Sequence, residues 1–258
     1  MSASSQRRAF VAVAAMLLLP SGRAQAQTDE IQVYNAEINE PGQFGIELHN
    51  NYTPIGRKDP DFRGAVVPEG TLNGVPEWSY GVTDWFEAGL YMPLYSYASR
   101  QDQFTLNGFK VRAEFVQPHA AEHRFFYGIN FEFSYNAHYW EPTRYSSEIR
   151  PILGWRFGPV DVIVNPIIDN SWRGVGSLDF APAVRLDYNL SPAWAVALEH
   201  YADFGEVRHF DGLDNQQHTL FAVVDYASEA LDVEAGIGHG FTQASDDLVL
   251  KLIVGHPF

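Results

Sequence analysis

From Phe125 to Tyr135 the chain keeps a period of two. Phe125, Tyr127, Ile129, Phe131, Phe133 and Tyr135 fall on one face, and Gly128, Asn130, Glu132 and Ser134 on the other. A period of two is the spacing of a pleated strand, so the segment has one greasy face and one polar face. The pattern returns at Phe180, Pro182, Val184, Leu186 and Tyr188 against Ala183, Arg185 and Asp187. It returns again at Trp194, Val196, Leu198 and His200 against Ala195, Ala197 and Glu199, and at Leu231, Val233, Ala235 and Ile237 against Asp232 and Glu234. Twelve such segments can be read, near 43–52, 75–82, 86–97, 104–116, 125–135, 146–157, 160–169, 179–189, 194–204, 217–226, 231–240 and 248–258. Several have the length of about 10 residues that a tilted strand needs to cross a bilayer. No segment carries a convincing helical stripe.

The connections alternate as well. Short turns fall at Thr83 to Trp85, Gly158-Pro159, Leu190 to Ala193 and Ala227 to Ala230, with a slightly longer one at Gln117 to Arg124. Longer loops fall between them, at Thr53 to Gly74, Ala98 to Gln103, Asn136 to Tyr145, Asn170 to Leu178, Gly205 to Gln216 and Phe241 to Asp247. Short turns at one end and long loops at the other describe an up-and-down antiparallel transmembrane β-barrel, here of about twelve strands. A secreted sandwich or lipocalin-like barrel also alternates faces, but turns its apolar face inward. The aromatics favour the membrane barrel. Trp85, Phe86, Phe125, Trp155, Phe157, Tyr188, Trp194 and Tyr226 fall at the short-turn end, and Tyr52, Trp78, Tyr135, Tyr139, Trp140, Phe180 and Phe204 at the long-loop end. Two aromatic girdles around an apolar band suit a barrel in lipid.

Arg7 and Arg8 precede an apolar run from Ala9 to Leu19, and Ala24-Gln25-Ala26 offers small residues to a signal peptidase. The run is too short to span a bilayer as a helix. The expected organisation is therefore a cleaved signal peptide over 1–26, a periplasmic N-terminal segment over 27–42 and the barrel over 43–258. Residues 27–41, with Asp29, Glu30, Glu37 and Glu40, form either a flexible periplasmic tail or a plug folded back into the bore. The loop at Thr53 to Gly74, rich in Pro and Gly, resists regular structure and is placed to fold over the mouth. The 258-residue chain has 32 acidic and 17 basic residues, a net charge of −15 and no cysteine. Nucleic acid is excluded as a partner because no Lys/Arg cluster exists to meet phosphates. Disulfides, thiolate metal sites and thiol nucleophiles are excluded too.

The last strand carries a resemblance. Leu248, Leu250, Leu252, Val254, His256 and Phe258 alternate down to a terminal phenylalanine, which is similar to the terminal strand of Gram-negative outer-membrane proteins. That resemblance implies Leu250, Leu252, Val254 and Phe258 as a C-terminal signal for the barrel-insertion machinery, and outer-membrane lipid as the surroundings. His256 and Pro257 depart from the commoner aromatic-plus-basic ending. The stretch Tyr80-Gly81-Val82-Thr83-Asp84-Trp85-Phe86-Glu87-Ala88-Gly89-Leu90-Tyr91-Met92-Pro93 resembles hairpins of the MetA-pathway phenol-degradation family. Those barrels are presumed to pass small, often aromatic, molecules. The match covers about 14 of 258 residues.

With the apolar faces outward, Lys110, Arg112, Glu114, Glu132, Glu148, Arg150, Arg156, Arg185, Asp187 and Glu199 become lumen-lining candidates. Glu47, Glu77, Glu87, Asp161, Asp203, Asp225, Asp232, Glu234 and Lys251 share their orientation, so carboxylates outnumber cations in the bore. Charges survive there when hydrated or paired. Two outcomes stand open: salt-bridged ladders that fill the bore, or a narrow channel favouring cations or neutral solutes. The expected function is an outer-membrane channel for a small solute, aromatic or hydrophobic if the hairpin resemblance is followed. The alternatives are a non-conducting structural or adhesion barrel and, less favoured, a lipid hydrolase. The last would need Ser, His and an acid near the outer leaflet. His200, His209, His218 and His239 lie toward that end, with Glu199 and Asp203 nearby, but no Gly-x-Ser-x-Gly occurs. No histidine pair has a recognised ligand spacing, so no metal, cofactor or catalytic residue is assigned. The glycines of Gly236 to Gly240 are read as relieving crowding inside the barrel.

Overall fold

A row of unpaired strand amides cannot face lipid, so strands with an apolar outer face must close on one another. In the computed structural model, which describes residues 30–172, 174 and 177–258, they do so. The strands are β1 (Phe44–Ile55), β2 (Thr71–Thr83), β3 (Phe86–Ala98), β4 (Gln103–Val116), β5 (Phe125–Asn136), β6 (Tyr145–Phe157) and β7 (Val160–Asn165). They continue as β8 (Ile168–Asn170), β9 (Leu178–Phe180), β10 (Ala183–Ser191), β11 (Trp194–Asp203), β12 (Gln217–Ala227), β13 (Asp232–Gly240) and β14 (Leu248–Pro257). Every pairing is antiparallel, β5 meets β6, and the first and last strands join from Gly45 opposite Pro257 to Tyr52 opposite Leu250.

The strands β7 and β8 are two pieces of one stave, and β9 and β10 of the next, which gives a closed barrel of twelve staves. The breaks fall at Pro166-Ile167 and Ala181-Pro182. Proline has no amide hydrogen for the ladder, and the two gaps lie side by side, bridged by the Ala181 amide donating to the Ile167 carbonyl at 3.1 Å. The wall is therefore notched on one side.

The outer surface is apolar: Phe131, Phe133, Leu186, Leu198, Leu250 and Leu252 are all more than a third exposed. At the short-turn end Phe86 stacks on Phe115 at 4.8 Å, Phe125 lies 5.4 Å from Trp155, and Trp194 lies 4.8 Å from Tyr226. At the long-loop end Phe180 stacks on Phe204 at 5.8 Å, and Tyr135 meets Tyr145 at 5.7 Å. Two girdle assignments need correction. Strand β2 starts at Thr71, four residues before the expected 75, so Trp78, opposite Ile46 and Leu90, sits on the outer face well below the long loops. Trp140 is 3% exposed and packs inside the barrel on Val75, Tyr91 and Leu94.

Phe258 closes the seam, donating its amide to the Phe44 carbonyl at 2.7 Å and accepting from the Phe44 amide at 3.0 Å. The expected signal peptide over 1–26 lies outside the described residues.

Candidate functional site

The site is the bore, and its first component is the chain's own N-terminus. Of the two courses open to residues 27–41, the described part (30–41) takes the inner one and runs up the bore instead of lying beyond the short turns as a separate periplasmic segment. It enters beside β2, where the Gly42 amide donates to the Gly81 carbonyl at 2.8 Å. Gly81 lies so close to the carbonyl oxygens of Asn39 and Glu40 that a side chain there has no room. Further up, the Asn39 amide donates to Glu87 Oε2 at 2.7 Å, and Asn39 Nδ2 to Ser79 Oγ at 2.8 Å.

Midway, the Asn165 carboxamide stands in for a strand partner. Its Oδ1 accepts from the Tyr34 amide at 2.8 Å and its Nδ2 donates to the Tyr34 carbonyl at 3.0 Å. Val33, Tyr34 and Ala36 pack on Phe126, Ile152, Ile163, Ile167 and Ala183. These are inward residues of the notched wall, so burial of apolar area fixes the segment against that side. The Tyr34 hydroxyl lies 2.5 Å from that of Tyr91. Burial, then Glu30 and Glu132, push the Tyr34 phenol well above its ordinary range, so it stays neutral.

All ten lumen candidates face this bore, and nine of them gather into three ionic groups. Arg112 pairs with Glu77 at 2.8 Å and with Glu87 and Glu114. Arg185 pairs with Asp187 at 2.6 Å, Glu199 at 2.5 Å, Glu234 at 2.7 Å and Asp225. Lys251 joins this second group through Glu199 and through Glu234 at 2.5 Å, and donates to the Ile31 carbonyl at 3.2 Å. In the third group Arg150 holds Glu148 at 2.7 Å and the Gln32 carbonyl at 3.2 Å, with its guanidinium over the Tyr34 ring at 4.3 Å. Lys110 meets Glu132 at 3.4 Å. Arg156 sits apart, over the Phe126 ring at 4.1 Å and within 3.9 Å of both Glu37 and Asp161. The cations thus hold the wall carboxylates and the N-terminal segment together.

The segment divides the bore into two vestibules, both reaching Gln32. The outer holds about 810 Å³ and the inner about 470 Å³. Ten carboxylate residues line the outer one against Arg57, Lys110 and Arg150, and ten line the inner one against Arg112, Arg156 and Arg185. Glu30, at the boundary, is buried, and neither carboxylate oxygen has a hydrogen bond among the described residues. Burial first, then the charge of Glu132, raise its pKa to about 7 against the pull of Arg150, His49 and Lys110. Over the outer mouth, the 56–70 loop is tied down by Arg57 to Asp246 Oδ1 at 3.1 Å and by the Val66 amide to the Tyr139 carbonyl at 3.3 Å.

Among the described residues the rim histidines meet no serine hydroxyl through their rings. His218 Nδ1 lies 3.3 Å from His200 Nε2 with the rings stacked, and Ser245 hydrogen-bonds the backbone of His218 rather than its ring. Sequence reasoning missed His49, which is fully buried in the bore wall between Glu47 and Glu77. Its inward parity with Glu47 was the available signal. Gly236 faces Lys251 and Gly238 faces the Phe221 ring, each too closely for a Cβ, so these glycines relieve crowding as read.

No protein-family model matches the sequence, and no curated protein matches it significantly. Two solved structures share the fold. The COG4313 outer membrane channel from Pseudomonas putida F1 is 12% identical with a TM-score of 0.59, covering 89% of this chain and 100% of that one. The NanC porin is 8% identical with a TM-score of 0.54, covering 81% of this chain and 97% of that one. At such identities the similarity is one of fold.

Proposed function

We propose that this chain is an outer-membrane channel that passes small polar solutes, cations before anions, around its own N-terminal segment. One observation carries the reading: a vestibule opens at each end of the bore, both border the N-terminal segment at Gln32, and both are lined by carboxylates in excess of cations. Carboxylate rings lower the cost of entry for cations and raise it for anions. The fold shared with an outer membrane channel and a porin supports the same reading. The apolar outer band and the aromatic ends suit outer-membrane lipid, and Leu250, Leu252, Val254 and Phe258 suit recognition by the barrel-insertion machinery. The hairpin resemblance would make the solute aromatic. The bore is mixed, with Tyr34, Tyr91 and Trp140 beside the ion pairs, so an aromatic solute bearing a polar or cationic group fits it better than a hydrocarbon.

A second reading is favoured by the occupied bore itself: a non-conducting barrel sealed by residues 30–41. Liposome swelling separates the two. Proteoliposomes of the folded mature chain, placed in isotonic solutions of small neutral and cationic solutes, swell at rates falling with solute size if the channel reading holds. Swelling no faster than in protein-free liposomes overturns it.

A further inference from the structure

We infer that Glu47, His49 and Glu77 form a binding site for one first-row divalent metal ion, entered from the inner vestibule. Strands β1 and β2 bring the three together: Glu47 stands directly opposite Glu77 across the pair, and His49 is two residues along β1 on the same inward face. The donor atoms lie within 4.8 Å of one another. His49 Nε2 is 3.2 Å from Glu77 Oε2 and 3.6 Å from Glu47 Oε2. A tetrahedral ion with bonds of about 2.0–2.2 Å requires ligand atoms about 3.3–3.6 Å apart, so the two edges from His49 need almost no adjustment, and the carboxylate pair closes the third edge by side-chain rotation.

Charge points the same way. Like charges directly opposite on adjacent strands repel, and two carboxylates face each other here. Arg112 is already shared by Glu77, Glu87 and Glu114, which leaves His49 as the ion-pair partner of Glu47. Arg112 takes Glu77 Oε1 at 2.8 Å and leaves Oε2 facing His49 Nε2, while His49 Nδ1 is buried without a hydrogen bond among the described residues. A dication between the carboxylates would supply the missing positive charge. One imidazole and two carboxylates suit zinc or manganese better than calcium or copper(I). His49 and Glu77 are buried while the Glu47 side chain is 39% exposed toward the inner vestibule, which offers an entry path and leaves a fourth coordination position for water. Beside it, a Cβ at Gly255 would stand only 3.1 Å from Glu47 Cγ, so the glycine leaves the Glu47 side chain room next to the pair.

The test is calorimetric titration of the chelator-treated, folded, full-length mature chain with Zn²⁺ alone, with folding checked by heat-modifiable migration. The expected result is one tight site per chain. His49→Gln and, separately, Glu47→Gln should each weaken it at least tenfold, while His200→Gln/His218→Gln leaves it unchanged. X-ray absorption at the zinc edge should show one nitrogen and two or more oxygens. If His49→Gln fails to fold, the exposed Glu47→Gln still decides. No tight site, or a site unaltered by Glu47→Gln, overturns the inference and leaves His49 as a bridging imidazolium.

Discussion

Tyr34 is the residue on which docking of the N-terminal segment most depends, and Tyr34→Ala should release it. Its ring is 6% exposed, packs on the notched wall, lies under the Arg150 guanidinium and ends in a hydroxyl contact to Tyr91. Truncating a buried aromatic to alanine costs about 3–5 kcal/mol in a closed core. Here water can refill the space, so the lower figure of about 3 kcal/mol applies. At 1.4 kcal/mol per factor of ten, the undocked population should rise about 100-fold. The chain has no cysteine, so Val33→Cys, at a position 4% exposed, gives a single reporter thiol. Labelling by a membrane-impermeant maleimide tracks the open population when opening and closing are fast. Adding Tyr34→Ala in that background should speed labelling about 100-fold without loss of the folded, heat-modifiable form. An unchanged rate would refute the claim that this side chain anchors the segment.

Glu30 should make docking pH-dependent. Because its folded pKa is raised to about 7, the stabilisation it contributes is present below the ordinary carboxylate value and is lost as pH rises through 7. Val33→Cys labelling, normalised to a free thiol, should therefore quicken from pH 5 to 8, and Glu30→Gln should flatten that rise. Arg185→Met leaves Asp187, Glu199, Asp225 and Glu234 short of their shared cation and should lower unfolding stability by about 3–5 kcal/mol, read from denaturant midpoints; an unmoved midpoint would show the group to be hydrated rather than paired. Gly238→Ala places a Cβ 2.5 Å from the Phe221 ring and should cost about 1–3 kcal/mol, with Phe221→Leu restoring most of it.

The barrel was legible because period-two alternation and alternating loop length are properties of backbone geometry, visible in Phe125 to Tyr135 without tertiary knowledge. Parity also oriented Lys110, Arg112, Glu114 and Arg185 inward. What parity cannot supply is depth and partnership. Trp140 belongs to a long loop, and nothing local distinguishes a tryptophan at an interface from one dipping onto Tyr91 and Leu94. Inward Phe126, Ile152 and Ile163 interrupt the polar face one at a time on separate strands, so the apolar wall that docks Val33 and Tyr34 exists only after the strands pair. The breaks at Pro166 and Pro182 were each visible as prolines. That they align into one notch follows from register between staves, which no single segment carries. His49 shares the inward parity of Glu47 on β1, but its contact with Glu77 arises only when register sets β2 beside it.

Ions are expected to cross this barrel past its own N-terminal segment, under the bias of an acidic bore. Single-channel recording of the refolded mature chain in a planar bilayer, under a tenfold KCl gradient, tests it most directly. Discrete steps with a reversal potential on the potassium side of zero are expected. A silent bilayer containing demonstrably folded protein, or a reversal potential on the chloride side, would contradict the account.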